Sequence, residues 1–307
     1  MTGPSIPRIA LAPESAPNWM GEAIVAGGGR LVTAREAVGL VWGNALSADG
    51  LPEILSSAPG IEWVQLPYAG VERFVHLMSD GRTWACGKGV YAEPVAELAL
   101  GLAIAGLRGV NHFARVSRWE RPRGRNLLGA RVTILGGGGI TGSLLRLLTP
   151  FAARVTVVRN RVQPMAGAEI VVAPDRLDDA LSTADVVVLA LALTPDTVGI
   201  IGPRTLALLG NHTWLINVAR GKHIDTAALV ESLRREEIGG ACLDVTDPEP
   251  LPEGHPLWSL PNCIITPHVG NTPEMARPLL ADRLRANVRR FANGEPLIGL
   301  VDPRLGY

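Results

Sequence analysis

Lysine is almost missing from this 307-residue chain: Lys88 and Lys222 are the only two, so 27 of its 29 basic residues are arginine. Arginine suits planar, two-pronged contact with carboxylate or phosphate. A GC-rich coding sequence raises arginine and alanine whatever the function, so only individual arginines argue for a site. Net charge is missing too, because 29 Lys plus Arg cancel 29 Asp plus Glu. Without a global field, general binding to nucleic acid or to an acidic membrane is disfavoured. Cysteine is scarce: Cys86, Cys242 and Cys263 form no CxxC pair. An odd number without such a pair fits a reducing compartment better than a disulfide framework and gives metal ligation no support. The strongest apolar run, Leu98 to Leu107, is too short to span a bilayer. The N-terminus MTGPSIPRIALAP has no basic segment followed by a long apolar one. The expectation is a cytoplasmic protein with no membrane, metal or nucleic-acid partner.

What is present is a large apolar content. Hydrophobic residues make up 47% and charged residues 19%, with mean hydropathy +0.20, which excludes a disordered chain. The length corresponds to about two domains. From Arg8 to about Tyr91, short apolar runs (PRIALAP, REAVGLVWG, IEWVQLPY, RTWACGKG) alternate with polar or helical stretches such as LPEILSSAP, the pattern of an α/β unit. From Pro94, VAELALGLAIAGLRGVNHFARV reads as one long apolar helix suited to a domain boundary or an oligomer contact, and RWERPRGRNL as a loop. Beyond Ala130, RVTIL, RVTVV, ADVVVLALAL, HTWLINVA, IGGACLDV and CIITP read as buried strands alternating with helices, which implies a parallel sheet covered on both faces.

Leu135 to Ser143 reads LGGGGITGS, between a strand and a helix, where a dinucleotide fingerprint belongs. Glycines there permit a tight turn and close approach of a pyrophosphate to the helix N-terminus. Two registers are open: Gly137, Gly139 and Gly142 spell GxGxxG, whereas Gly136, Gly138 and Thr141 put a side chain in the third place. At the end of the next strand, where a carboxylate would bind the ribose of NAD, the chain reads Val157-Val158-Arg159-Asn160-Arg161. Arg159 and Arg161, with Asn160 between them, are therefore candidate ligands of a 2′-phosphate, favouring NADP(H) with NAD(H) possible. The alternative is that they are solvated surface arginines. Three ionisable residues fall at or near strand C-termini, where open α/β sheets place ligands: Arg220, Glu249 and His268.

The motifs VTILGGGGI, VVLALALTPDTVGIIG, LINVARGKHIDTAALVESL, GGACLDVTDPEPLPEGHPLW and NCIITPHVGNT together resemble the D-isomer-specific 2-hydroxyacid dehydrogenase family, which includes glyoxylate/hydroxypyruvate reductases. The likeness runs from about Ala92 to Asn271, with a fainter match at WVQLPYAGVERF. The intervals of 29 residues from Arg220 to Glu249 and 19 from Glu249 to His268 are also the family's.

The resemblance implies an NADP(H)-dependent oxidoreductase of small 2-keto or D-2-hydroxy acids. His268 matches the acid/base, Glu249 the carboxylate whose charge favours its imidazolium, and Arg220 the arginine gripping the substrate carboxylate. Ala69 and Gly70 match a backbone turn that also holds that carboxylate. For the cofactor, Gly136, Gly138, Gly139, Ile140 and Thr141 match the pyrophosphate turn, and Thr194 and Pro195 a loop after the fourth strand. Val218, Ala219 and Arg220 match the nicotinamide-side turn, Asp244 the partner of the carboxamide, and His268 and Gly270 the closing loop. Family members with arginine at the position of Arg159 prefer NADP. The implied fold is α/β with two Rossmann-like doubly wound parallel-sheet domains. The nucleotide-binding domain (93–275) is inserted into a discontinuous substrate domain (1–92 and 276–307), and the resemblance suggests a homodimer. Two other readings share the scaffold: a phosphite-type dehydrogenase, and a non-catalytic dinucleotide-sensing protein like the transcriptional corepressors, which carry extra terminal segments.

Overall fold

A computed structural model describes residues 6–306; Met1–Ser5, which open the N-terminal segment considered above, and Tyr307 lie outside the described residues. The chain divides into two compact units, one running to Tyr91 and resuming at Thr272, the other Ala92–Asn271. The second crossover falls at Thr272 rather than near 276 because Thr272 begins the C-terminal helix Pro273–Ala292, its hydroxyl accepting from the Met275 N–H.

The first unit contains β1 (Arg8–Ala12), α1 (Asn18–Ala26), β2 (Arg30–Leu31), β3 (Gly39–Trp42), α2 (Leu51–Ser57), β4 (Trp63–Gln65) and β5 (Thr83–Ala85). These strands form a parallel sheet of order β2-β1-β3-β4-β5, a doubly wound order whose direction reverses between β1 and β3. Leu40, Trp42, Val64, Phe74 and Trp84 fill one side of it. The C-terminal helix packs on α1, where a Cβ on Gly27 would lie 2.9 Å from Val288, so only glycine permits that approach.

The second unit contains α3 (Ala92–Leu107), α4 (Val110–Phe113), β6 (Arg131–Leu135), α5 (Gly139–Leu148), β7 (Arg154–Val158), β8 (Ile170–Val172), α6 (Leu177–Ser182), β9 (Val186–Leu189), α7 (Pro203–Leu206), β10 (Trp214–Asn217), α8 (Thr226–Arg234), β11 (Gly240–Leu243) and β12 (Cys263–Ile265). All seven strands are parallel, in the order β12-β11-β10-β9-β6-β7-β8. Val186–Leu189 and Gly240–Leu243 are buried throughout, because helices cover both faces of these inner strands. The long apolar helix expected from Pro94 is interrupted: α3 stops at Leu107 and α4 restarts at Val110, across Gly109 at φ +62°. The small residues of α3 serve close packing, since a Cβ on Gly106 would meet the Trp214 ring at 2.4 Å. Among the described residues, no helix is long and apolar enough to cross a membrane.

Candidate active site

The sheet of the second unit changes winding direction between β6 and β9, so the loops leaving these two strands diverge and open a crevice at their C-terminal ends. The glycine turn lies there. Gly136 sits at φ +109°, and a Cβ on it would fall 2.3 Å from the Ala190 carbonyl oxygen, so both conformation and packing require glycine. Thr141 is fully buried and its hydroxyl donates to the Gly136 carbonyl at 2.9 Å, whereas Gly142 faces open space. The geometry therefore follows the register of Gly136, Gly138 and Thr141, with a threonine stitching helix to turn where a glycine would otherwise sit. Gly138 is the N-cap of α5 and has open space around it, with no side chain capping the first turn. Gly139 and Ile140 open the helix, and no acidic residue lies in its first turn. This is an anion cradle of uncapped N–H groups.

Arg159 follows β7 and lies against the glycine turn. A Cβ on Gly137 would lie 2.5 Å from Arg159 Cδ and 2.6 Å from Nε, so the arginine stem lies across the turn. Asn160 and Arg161 are exposed. Neither arginine is in an ion pair among the described residues, which leaves both guanidinium groups available to an anion.

The ionisable constellation is built on β10, β11 and β12, which are neighbours in the sheet. His268 follows β12 at φ +55°, a left-handed conformation rare for a residue with a side chain. It is held there because its N–H donates to the carbonyls of Asp244 at 2.8 Å and Thr266 at 2.9 Å. Its Nδ1 lies 2.7 Å from Glu249 Oε1, and both side chains are about half exposed, at 52% and 42%. With Nδ1 donating to the carboxylate, Nε2 is the nitrogen left to exchange a proton.

Asp244, 3% exposed, organises the loop: Oδ1 accepts from the Thr266 hydroxyl at 2.6 Å and the Val269 N–H at 2.8 Å, and Oδ2 from the Gly270 N–H at 2.9 Å. The Asp244 N–H in turn donates to the Asn217 carbonyl at 2.9 Å. The fully buried Asn217 amide shapes the next turn, accepting from the Ala219 N–H at 3.0 Å and donating to the Arg220 carbonyl at 2.9 Å. Val218 and Ala219 are buried, while Arg220 is half-buried and donates from Nη1 to the Ala219 carbonyl at 2.8 Å. One backbone web thus carries Arg220, Asp244 and His268.

Sequence reasoning missed three residues of this web besides Asn217. A Cβ on Gly221 would lie 1.9 Å from the Thr246 carbonyl oxygen, so glycine lets the loop after β11, which bears Glu249, cross the Arg220 turn. The fully buried His223 accepts the Arg220 N–H on Nδ1 at 3.3 Å and places Nε2 3.3 Å from the Ala192 carbonyl, tying that turn to the loop of Thr194 and Pro195. Thr194 caps a single turn, its N–H donating to Thr197 Oγ1 at 2.8 Å. Thr266 was likewise unmarked. Only the spelling NVARGKHID hinted at the glycine and the histidine. Ala69, exposed, and Gly70, half-buried, belong to the first unit, on the turn after β4.

Residues 99–270 match the model of the D-isomer specific 2-hydroxyacid dehydrogenase, NAD binding domain. The chain is 36% identical over 296 residues to an uncharacterized protein in the proB 3′ region of Corynebacterium melassecola, covering 93% of this chain and 95% of that one. It is 34% identical over 218 residues to a glyoxylate reductase of Thermococcus kodakarensis, covering 67% and 65% respectively. A D-isomer specific 2-hydroxyacid dehydrogenase from Xanthobacter autotrophicus, solved in complex with NADPH and MES, superposes with TM-score 0.86 at 26% identity, covering 99% of this chain and 100% of that one. The chain therefore belongs to the D-isomer-specific 2-hydroxyacid dehydrogenases, a family of NAD(P)-dependent oxidoreductases.

Proposed function

We propose that this protein is an NADPH-dependent reductase of small 2-keto acids such as glyoxylate or hydroxypyruvate, acting in reverse on D-2-hydroxy acids. The observation that carries the reading is the 2.7 Å His268–Glu249 pair, fixed on the same backbone web as Arg220. The likeness to a glyoxylate reductase and to a structure holding NADPH supports the substrate class and the cofactor.

The residues present fit a dinucleotide. The uncapped turn of α5 would take the pyrophosphate, with Gly136 required by its close packing on Ala190, and Arg159 and Arg161, with Asn160, would take a 2′-phosphate. The loops of Thr194–Pro195 and Val218–Arg220, with Asp244, His268 and Gly270, would line the nicotinamide end. When bound, the cofactor supplies the hydride that reduces C2 of the keto acid. Arg220 grips the substrate carboxylate and draws electron density toward the carbonyl oxygen, and the N–H groups of the Ala69–Gly70 turn are candidate donors to a carboxylate. His268 delivers a proton from Nε2 to that oxygen as it gains charge, and Glu249 stabilises the protonated ring and holds its orientation.

The reading also carries a cytoplasmic homodimer. The three cysteines are free and buried, and burial pushes the thiol pKa of Cys86 and Cys242 up and that of Cys263 up to about 12, which keeps them unreactive. Purified protein mixed with NADPH and a panel of glyoxylate, hydroxypyruvate, pyruvate and phenylpyruvate, followed at the nicotinamide absorbance band, should oxidise NADPH fastest with the smaller acids. Absence of turnover across the whole panel would exclude the reductase.

A further inference from the structure

In the first unit, two successive carbonyls of the turn after β4 are held from the same side. The Tyr91 hydroxyl donates to the Pro67 carbonyl at 2.8 Å, and the Gly87 N–H donates to the Tyr68 carbonyl at 3.2 Å. The approach depends on glycine, because a Cβ on Gly87 would lie 2.3 Å from the Pro67 oxygen and 3.1 Å from Tyr68 Cα. In a planar trans peptide the C=O and the following N–H point in opposite directions. Holding the Pro67 oxygen toward Tyr91 therefore turns the Tyr68 N–H away from segment 87–91, and holding the Tyr68 oxygen toward Gly87 does the same for the Ala69 N–H. Among the described residues, no acceptor takes the N–H of Tyr68, Ala69 or Gly70. Unpaired donors turned outward in one direction form a concavity for an anion.

Tyr91 is built to keep this role. It is 8% exposed, and its ring lies 5.4 Å from that of Tyr68. Burial, with the neighbouring Tyr68 phenol, raises its pKa against the opposing charge of Arg283, so the hydroxyl keeps its proton and stays a donor. Arg283 pins the same segment from the C-terminal helix, donating to the carbonyls of Cys86 at 3.0 Å and Lys88 at 3.1 Å.

We propose that Tyr91 is a positioning residue: through the Pro67 carbonyl, and together with Gly87 on the Tyr68 carbonyl, it aims the Tyr68 and Ala69 N–H groups at the carboxylate of the 2-keto acid. This rests on the proposed reading that the turn receives that carboxylate, and it adds Tyr68 N–H to the donors.

Tyr91→Phe removes the hydroxyl and keeps the ring. KM for glyoxylate should rise about five- to tenfold, with kcat within about twofold and NADPH affinity unchanged, as loss of one ground-state contact requires. An unchanged KM, or a fall in NADPH affinity, would overturn the proposal. A second readout needs no turnover: in 15N-labelled wild-type protein, the Tyr68 and Ala69 amide resonances should shift on titration with oxalate in the presence of NADPH, and Tyr91→Phe should weaken that response. If the wild-type protein reduces no keto acid, the reductase reading fails while the oxalate titration still decides the cradle. Amides that ignore oxalate, or respond equally in both proteins, would refute it.

Discussion

The two units are built on one plan, a doubly wound parallel sheet, and differ in what they place beyond the C-terminal ends of their strands. In the second unit that edge carries ionisable side chains, Arg159, Arg220, Glu249 and His268, each held by backbone bonds or by a glycine contact beneath it. In the first unit the turn after β4 offers main-chain N–H groups, aimed by Tyr91 and Gly87. Proton transfer needs a group that changes charge, so it has to come from side chains. Orienting a carboxylate needs only fixed dipoles, which a backbone provides without a titrating group. One fold, used twice, thus presents charged side chains in one unit and fixed main-chain dipoles in the other.

Several substitutions probe this division. The largest supporting effect belongs to Arg220→Leu, which removes a charged, two-pronged contact and should lower kcat/KM for glyoxylate by about 100- to 1000-fold. Steady-state kinetics checks it, and a loss no greater than that of Tyr91→Phe would erase the difference between side-chain and backbone roles. Next comes Arg159→Asp, where the ratio of NADP to NAD efficiency should fall about 10- to 100-fold through loss of charge-assisted bonds and added repulsion. An unchanged ratio would place the phosphate clamp elsewhere.

The smallest effect separates the two glycine registers. Gly142→Ala, on an open helix face, should stabilise the protein by about 0.5–1 kcal/mol through helix propensity. Gly136→Ala, strained at φ +109° against Ala190, should destabilise it and weaken NADPH binding. Thermal denaturation with and without NADPH compares them, and equal behaviour would remove the distinction.

The strands of the second unit were legible because burial on both faces leaves continuous apolar runs such as Val186–Leu189. By contrast β2 and β8 are edge strands of two and three residues without a fully buried position, so no apolar run announces them. The break at Gly109 was hidden by the apolar residues on either side. Within the glycine turn, spelling alone favoured Gly137, Gly139 and Gly142, since four consecutive glycines leave the register to backbone angle and packing. Arg220, Glu249 and His268 stood out by residue type and position. Of the residues that hold them, Gly221 and Thr266 act through contacts that exist only once the strands lie side by side, as Tyr91 acts across 24 residues on Pro67, whereas Asn217 and His223 bond within the Arg220 turn itself.

The central claim is that His268 supplies the proton. Single-turnover reduction of glyoxylate by enzyme preloaded with NADPH, comparing wild-type protein with His268→Ala, isolates that step. Loss of about 100- to 10,000-fold in the rate of NADPH oxidation, with NADPH affinity retained, is the predicted result. A near-normal rate in the variant would contradict the account.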